Sequence, residues 1–202
     1  LTTYLEAASR YPQGLFCPAT ITGQRYFTSG VIMRSWLLSL TDHKLVGPVT
    51  PQQASPAAIP VDMLAGRALL FSTKMAREIG GLRPDRLPHY GGDYEFSARA
   101  KRHGYQPYVL RVPALVLDAR NSGKKASTKG NTLGQRFGYL WDKRSPLELK
   151  MRARLVISTY PAYAVPTGVL TVVLKAFVEV LFGRTAHRML GEKHLVDGTA
   201  ES

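Results

Sequence analysis

The sequence predicts an α/β architecture with a helical C-terminal extension, and three observations carry that expectation. Short apolar runs alternate with short helical patterns as far as residue 126. A proline-rich stretch, VGPVTPQQASPAAIP, interrupts them, and from Gly134 onward the pattern is helical. With 202 residues and 45% hydrophobic content, the chain is large enough to bury one core, so one domain plus an appendage is expected.

The opening LTTYLEAASRYPQG reads as a helix with a Thr3/Glu6 capping box and a stop at Gly14. The run LFCPATI follows, with a strand near Ile21. It holds the single cysteine, Cys17, which has no partner for an internal disulfide and reads as a small buried hydrophobe in a reducing compartment. No basic-then-apolar signal peptide opens the chain, and the missing initiator Met suggests a piece of something longer. Prolines 48, 51, 56 and 60 predict a loop without regular structure. ALLFS (68–72), PYVLRV and PALVLDA, ending at Ala119, read as strands, and a helix ends in IGGL.

The segment LPHYGGDYEFSARAKRHGY raises the central question. Asp93 reads as the N-cap of a helix from about Tyr94 to His103, with Gly104 as its left-handed stop. Glu95 and Arg99 stand four apart and can pair, while Phe96 and Ala100 share an inward face. Capping leaves Gly91 and Gly92 unexplained, because glycine is placed where the backbone needs positive φ or a close approach.

Formal charge is +13, and basic residues crowd between Arg99 and Arg154. Such a block favours anions: nucleic acid, anionic lipid head groups or phosphorylated substrates, set against a plain solvated basic face. Nucleic acid fits worst, since exposed aromatics are not interleaved with the charges and no recognition motif is present. Residues 120–134 read as a mobile basic loop, and Pro161 and Pro166 break the helical remainder. In the last helix Thr167, Thr171, Lys175 and Glu179 recur every four positions, a narrow polar stripe on an apolar cylinder. That pattern, with basic residues on both flanks, suits a helix lying in a membrane interface better than one crossing it; a partner helix is the alternative.

The sequence contains no GxxxxGK[ST], GxGxxG or HExxH, no zinc cluster and no nucleophile elbow. What remains is an order of elements: VDMLAGRALLF, a helix ending REIGGL with Gly80 and Gly81, then YGGDYEFSARA. Over residues 1–123 this order resembles the C-terminal half of the catalytic domain in family 2 glycosyltransferases. These are GT-A type, Rossmann-like enzymes, here of the rhamnosyltransferase-like branch that builds bacterial surface polysaccharides.

The resemblance implies an inverting sugar transfer from a nucleotide-sugar donor to a saccharide or polyprenyl-linked acceptor, with Asp93 as the base. Gly66, Arg67, His89, Gly91 and Gly92 would shape the acceptor site. Asn121, Ser122, Lys124 and Lys125 would close over the departing diphosphate. A divalent metal, Mg or Mn, would be held mostly by a DxD motif expected before Leu1, so the piece alone is expected to be inactive. Asp118 stands where many members of the family carry a metal-binding histidine.

The implied organisation is an acceptor-side half over 1–126, a basic loop and connector helix over 127–158, and an amphipathic membrane-associating tail over 159–202. The implied location is cytoplasmic, peripheral at the inner face of the plasma membrane. The rival reading is a non-catalytic basic membrane-associated interaction module, which would be indifferent to Asp93. His89 could equally be a loop hydrogen-bonder, and Arg67 could pair with Glu78 or Asp85. Trp36 and Trp141 are expected in the core.

Overall fold

A computed structural model describes residues 2–28, 30–45, 47–49, 57–88, 90–116, 132–143, 145 and 147–182. The chain divides into two compact units, one of Leu1–Arg34 with Thr41–Leu117, the other of Ser35–Leu40 with Asp118–Ser202. The fold is mixed α/β.

The first unit opens with α1 (Thr2–Arg10) and strands β1 (Gly14–Thr22) and β2 (Arg25–Thr28). A hairpin of β3 (Val31–Ser35) and β4 (Leu40–His43) follows, then β5 (Ala58–Pro60), α2 (Thr73–Ile79), α3 (Gly92–Arg102) and β6 (Gln106–Val116). The main sheet runs β2-β1-β6-β5, with β1 parallel to β6 and the other pairs antiparallel. Its centre is β1, whose LFCPAT run is buried continuously, as expected for a strand covered on both faces. The β1–β6 register slips between Pro18, opposite Leu110, and Ala19, opposite Pro113. Neither proline has an N–H to give the ladder, so the slip falls where pairing is weakest. Leu15, Cys17 and Ala19 of β1 meet Val109, Ile59, Met75, Ile79, Phe96 and Ala100 in one core.

Local chemistry explains the helix ends. The Ser72 hydroxyl accepts the Met75 N–H and caps α2, which stops at Gly80 with φ 76°. Gly91 precedes α3 with φ 81°, a left-handed conformation that favours glycine, and Gly104 follows it with φ 87°.

The second unit contains α4 (Leu133–Gly138), α5 (Leu149–Thr159), a 3-10 turn (Ala162–Ala164) and α6 (Val165–Phe182). Thr132 and Gln135 form a reciprocal capping box on α4. Leu140, Leu147, Ala176 and Val180 make the core, with Phe137 and Phe177 against it. Gly168 lets α6 approach closely, since a Cβ there would lie 2.8 Å from the Tyr160 ring. Trp36 meets Tyr160 edge-on at 4.9 Å. Arg152 of α5 pairs with Glu179 at 3.0 Å, and the Lys175 ammonium donates to the Ser39 carbonyl at 3.0 Å.

Several sequence expectations change. Thr3 lies inside α1, and Gly14 begins β1 instead of ending the helix. The proline-rich stretch is not wholly irregular, since Ala58–Pro60 pairs along the outside of β6, an edge where proline is tolerated. ALLFS forms only an isolated bridge, Leu70 to Phe16, and PYVLRV and PALV are one strand, β6. Strands β2 to β4 are too short to announce themselves by alternation. Pro166 sits in the first turn of α6, where no N–H is needed, so only Pro161 separates the last helices. Trp141 is 67% exposed and is no core residue.

Candidate functional site

The N-terminal turn of α3 and the loop of residues 64–68 form the site. Asp93 is not the N-cap. Gly91 occupies that position and Asp93 lies two residues further on, in the first turn, where its charge still complements the helix dipole. Its carboxylate is committed elsewhere: Oδ2 accepts the Gly66 N–H at 2.5 Å, and Oδ1 accepts the Tyr94 N–H at 3.0 Å. A Cβ on residue 66 would lie 2.9 Å from the Asp93 Cβ, closer than real Cβ atoms come. Glycine at 66 is therefore a requirement of this contact. Each carboxylate oxygen keeps a second acceptor site for an incoming hydroxyl, and Asp93 is half-buried beside an exposed Gly66.

Three further groups hold the loop. The buried Ser97 hydroxyl accepts the Leu64 N–H at 2.9 Å and donates to the Asp93 carbonyl at 2.8 Å. The Cys17 Sγ lies 3.2 Å from the Ala65 carbonyl and 3.1 Å from that of Arg67, and its single S–H donates to one or the other. The Tyr4 hydroxyl donates to the carbonyl of Ala68 at 2.7 Å, a residue with φ 54° and so locally strained. Loop and helix are thus tied at their backbones as well as through Asp93.

The electrostatics mark the same cluster. Burial pushes the Cys17 thiol up to about 12, with the Asp93 charge adding to the rise and the Arg67 guanidinium opposing it. Burial likewise pushes Tyr94 up to about 12, helped by Asp93 and again opposed by Arg67. Tyr4 is raised by burial and by Cys17. The Arg67 charge is thus felt at both Cys17 and Tyr94. The partners seen for Glu78 are Lys74 and the Tyr105 hydroxyl.

The helix carrying Asp93 is anchored from below. Glu95 and Arg99, 1% and 3% exposed, form a two-pronged ion pair at 2.8 and 3.0 Å. The same guanidinium donates to the carbonyls of Ile79, of Gly80 at 2.9 Å and of Gly81 at 2.8 Å. Arg99 thereby closes the C-terminal end of α2. Two segments far apart in sequence, LAGRA and IGGL, both bond to α3.

Gly66, Arg67 and Asp93 come together, with Gly91 and Gly92 in the adjoining turn. A Cβ on Gly92 would make only an ordinary contact, 3.5 Å from the Leu87 carbonyl. His89, Asp118, Asn121, Ser122, Lys124 and Lys125 lie outside the described residues. Among the described residues no three of His, Cys, Asp and Glu gather as a metal site. An open groove of about 490 Å³, lined by Glu6, Arg10, Tyr11 and Leu110 among others, holds none of the expected site residues. Sequence reasoning missed Cys17, concealed in an apolar run, and Ser97, whose i+4 spacing from Asp93 was a visible signal. No protein-family model matches the chain, and no curated protein matches it.

Proposed function

We propose that this chain forms the acceptor side of a family 2, GT-A type glycosyltransferase, with Asp93 as its general base. One observation carries the reading. A carboxylate is held by the N–H of an exposed glycine at a position where any larger residue would collide with it. Close approach of glycine backbone to a half-exposed carboxylate suits a site that must admit a substrate hydroxyl.

In the reaction, an acceptor hydroxyl hydrogen-bonds to Asp93 and gives up its proton as its oxygen attacks the anomeric carbon of a nucleotide sugar. The new C–O bond forms on the face opposite the leaving group, and the old C–O bond breaks. The nucleoside diphosphate departs with the electron pair, and the configuration inverts. The backbone bonds from Gly66 and Tyr94 orient the carboxylate, and Arg67 follows Gly66 directly in the same loop. Among the described residues no three of His, Cys, Asp and Glu gather, and no step is assigned to a metal. The acceptor is a saccharide or a lipid-linked glycan, met at the cytoplasmic face of the plasma membrane.

The test is Asp93→Asn, introduced at the gene's own locus in the source cell, with surface polysaccharide analysed by composition and gel profile. Asn keeps an acceptor oxygen for the Gly66 N–H, gives up the one that accepts the Tyr94 N–H, and cannot take a proton. Turnover should fall at least about a hundredfold, the usual scale for a positioned base, while the lost Tyr94 bond costs only about 1 kcal/mol of stability. Near-normal polysaccharide in the Asn variant would remove Asp93 from catalysis and favour a non-catalytic interaction module.

A further inference from the structure

On α6, Leu170, Leu174 and Leu181 are exposed and recur at four- and seven-residue steps, so they stand in one line along the helix. Phe182, Ile157 of α5 and Tyr163 of the preceding turn are exposed as well. An 18-residue window within residues 162–182 has a mean hydropathy of 1.8, yet only 17% of that window is buried. The two charged side chains of α6 are not on this face. Lys175 is turned to the Ser39 carbonyl and Glu179 to Arg152, both within the same unit. The narrow polar stripe read from the sequence is thus partly consumed by internal partners, and the outward line is apolar.

We propose that the line Leu170–Leu174–Leu181 docks the second unit in the plane of an anionic lipid surface. The occupant follows from charge. Residues 118–202 carry 14 Lys and Arg against 7 Asp and Glu, and Lys143 and Lys150 are exposed. An apolar face within a basic unit matches an acyl boundary topped by anionic head groups. A second copy fits less well, because paired helices are registered by charges flanking the seam, and α6 has already committed both of its own. The helix does not cross the bilayer alone, since Ala176 and Val180 are packed against Leu140 and Leu147 on its covered side. The inference deepens the proposed reading by specifying where a lipid-carried acceptor would be met, but its test does not depend on sugar transfer.

The experiment is co-sedimentation of the purified chain with vesicles of phosphatidylcholine alone and of phosphatidylcholine with phosphatidylglycerol. Binding should be at least about tenfold stronger to the mixed vesicles and partly reversed by salt. The double variant Leu170→Gln/Leu174→Gln should lose at least about tenfold of that binding, with an unchanged melting midpoint and an unchanged mass by light scattering. Asp93→Asn should bind as the parent does, which separates location from catalysis. Equal binding to both vesicles, no binding to either, or full binding by the Leu variant would overturn the proposal. A dimer that the Leu variant dissolves would assign the face to a second copy instead.

Discussion

α3 holds five charged side chains in eleven residues, yet six of its residues are buried, Glu95 and Arg99 among them. α6 holds two charges in eighteen residues, and only Gly168, Ala176 and Val180 are buried. Composition alone would reverse the two. The difference lies in partners: Arg99 spends its guanidinium nitrogens on Glu95 and on three carbonyls at the end of α2, so nothing polar is left wanting. A charged helix can enter a core when every group it brings is answered. An apolar helix keeps an outward face when, among the described residues, only one side of it is packed.

The sharpest way to break this comparison is to remove one answering group from each region. Arg99→Ala leaves Glu95 buried without its close partner and uncaps α2, and should cost about 3–5 kcal/mol in urea unfolding. Arg152→Ala, at a pair 21% and 15% exposed, should cost about 1 kcal/mol or less. Similar losses for both would mean that burial of the Glu95–Arg99 pair is incidental. Should Arg99→Ala fail to fold, the double variant Glu95→Leu/Arg99→Met, which removes both charges together, should recover the part lost to the unpaired Glu95, leaving the uncapped end of α2 as the remaining cost.

A smaller effect is expected where α3 meets the 64–68 loop. Gly66→Ala places a Cβ 2.9 Å from that of Asp93 and should cost about 1–3 kcal/mol by overpacking. Its amide should also exchange with solvent faster once the bond to Asp93 is strained. A melting midpoint and an amide exchange rate both equal to the parent's would show that the loop does not need glycine.

The smallest effect at neutral pH concerns Cys17, whose thiol is raised from about 9 to about 12 by burial. A group raised in the folded state stabilises fully below its unfolded pKa, and that contribution is lost as pH rises through the folded one. Stability should therefore decline between about pH 9 and 12, with Tyr94, also raised to about 12, sharing in it. Cys17→Ala should make the decline shallower. Native Cys17 should resist a thiol reagent at pH 8 and react once urea is added; ready labelling of the folded chain would contradict its burial.

The local features of the site were legible in the sequence. The extent of α3 to within two residues, the pairing of Glu95 with Arg99, the inward Phe96 and Ala100 and the stops at Gly80 and Gly104 follow from helical spacing and glycine's tolerance of positive φ. The role of Asp93 at the helix start was misread, because a good capping residue stands two positions after the glycine that actually turns the chain. The depth of the Glu95–Arg99 pair was also illegible, since four-residue spacing is the same on a wet face as in a core.

What the sequence by itself determined is therefore a set of local pieces: the extent of α3, the glycine stops after α2 and α3, a basic excess and a carboxylate beside two glycines. Only the tertiary structure decided that Gly66 seats against Asp93 across 27 residues, that Ser97 and Cys17 hold the same loop, and that Lys175 and Glu179 turn inward. The physical reason is range. Contacts within a helical turn are set by the 3.6-residue repeat whatever surrounds them, whereas contacts across the chain form only when the whole core closes and repays the entropy of bringing distant segments together.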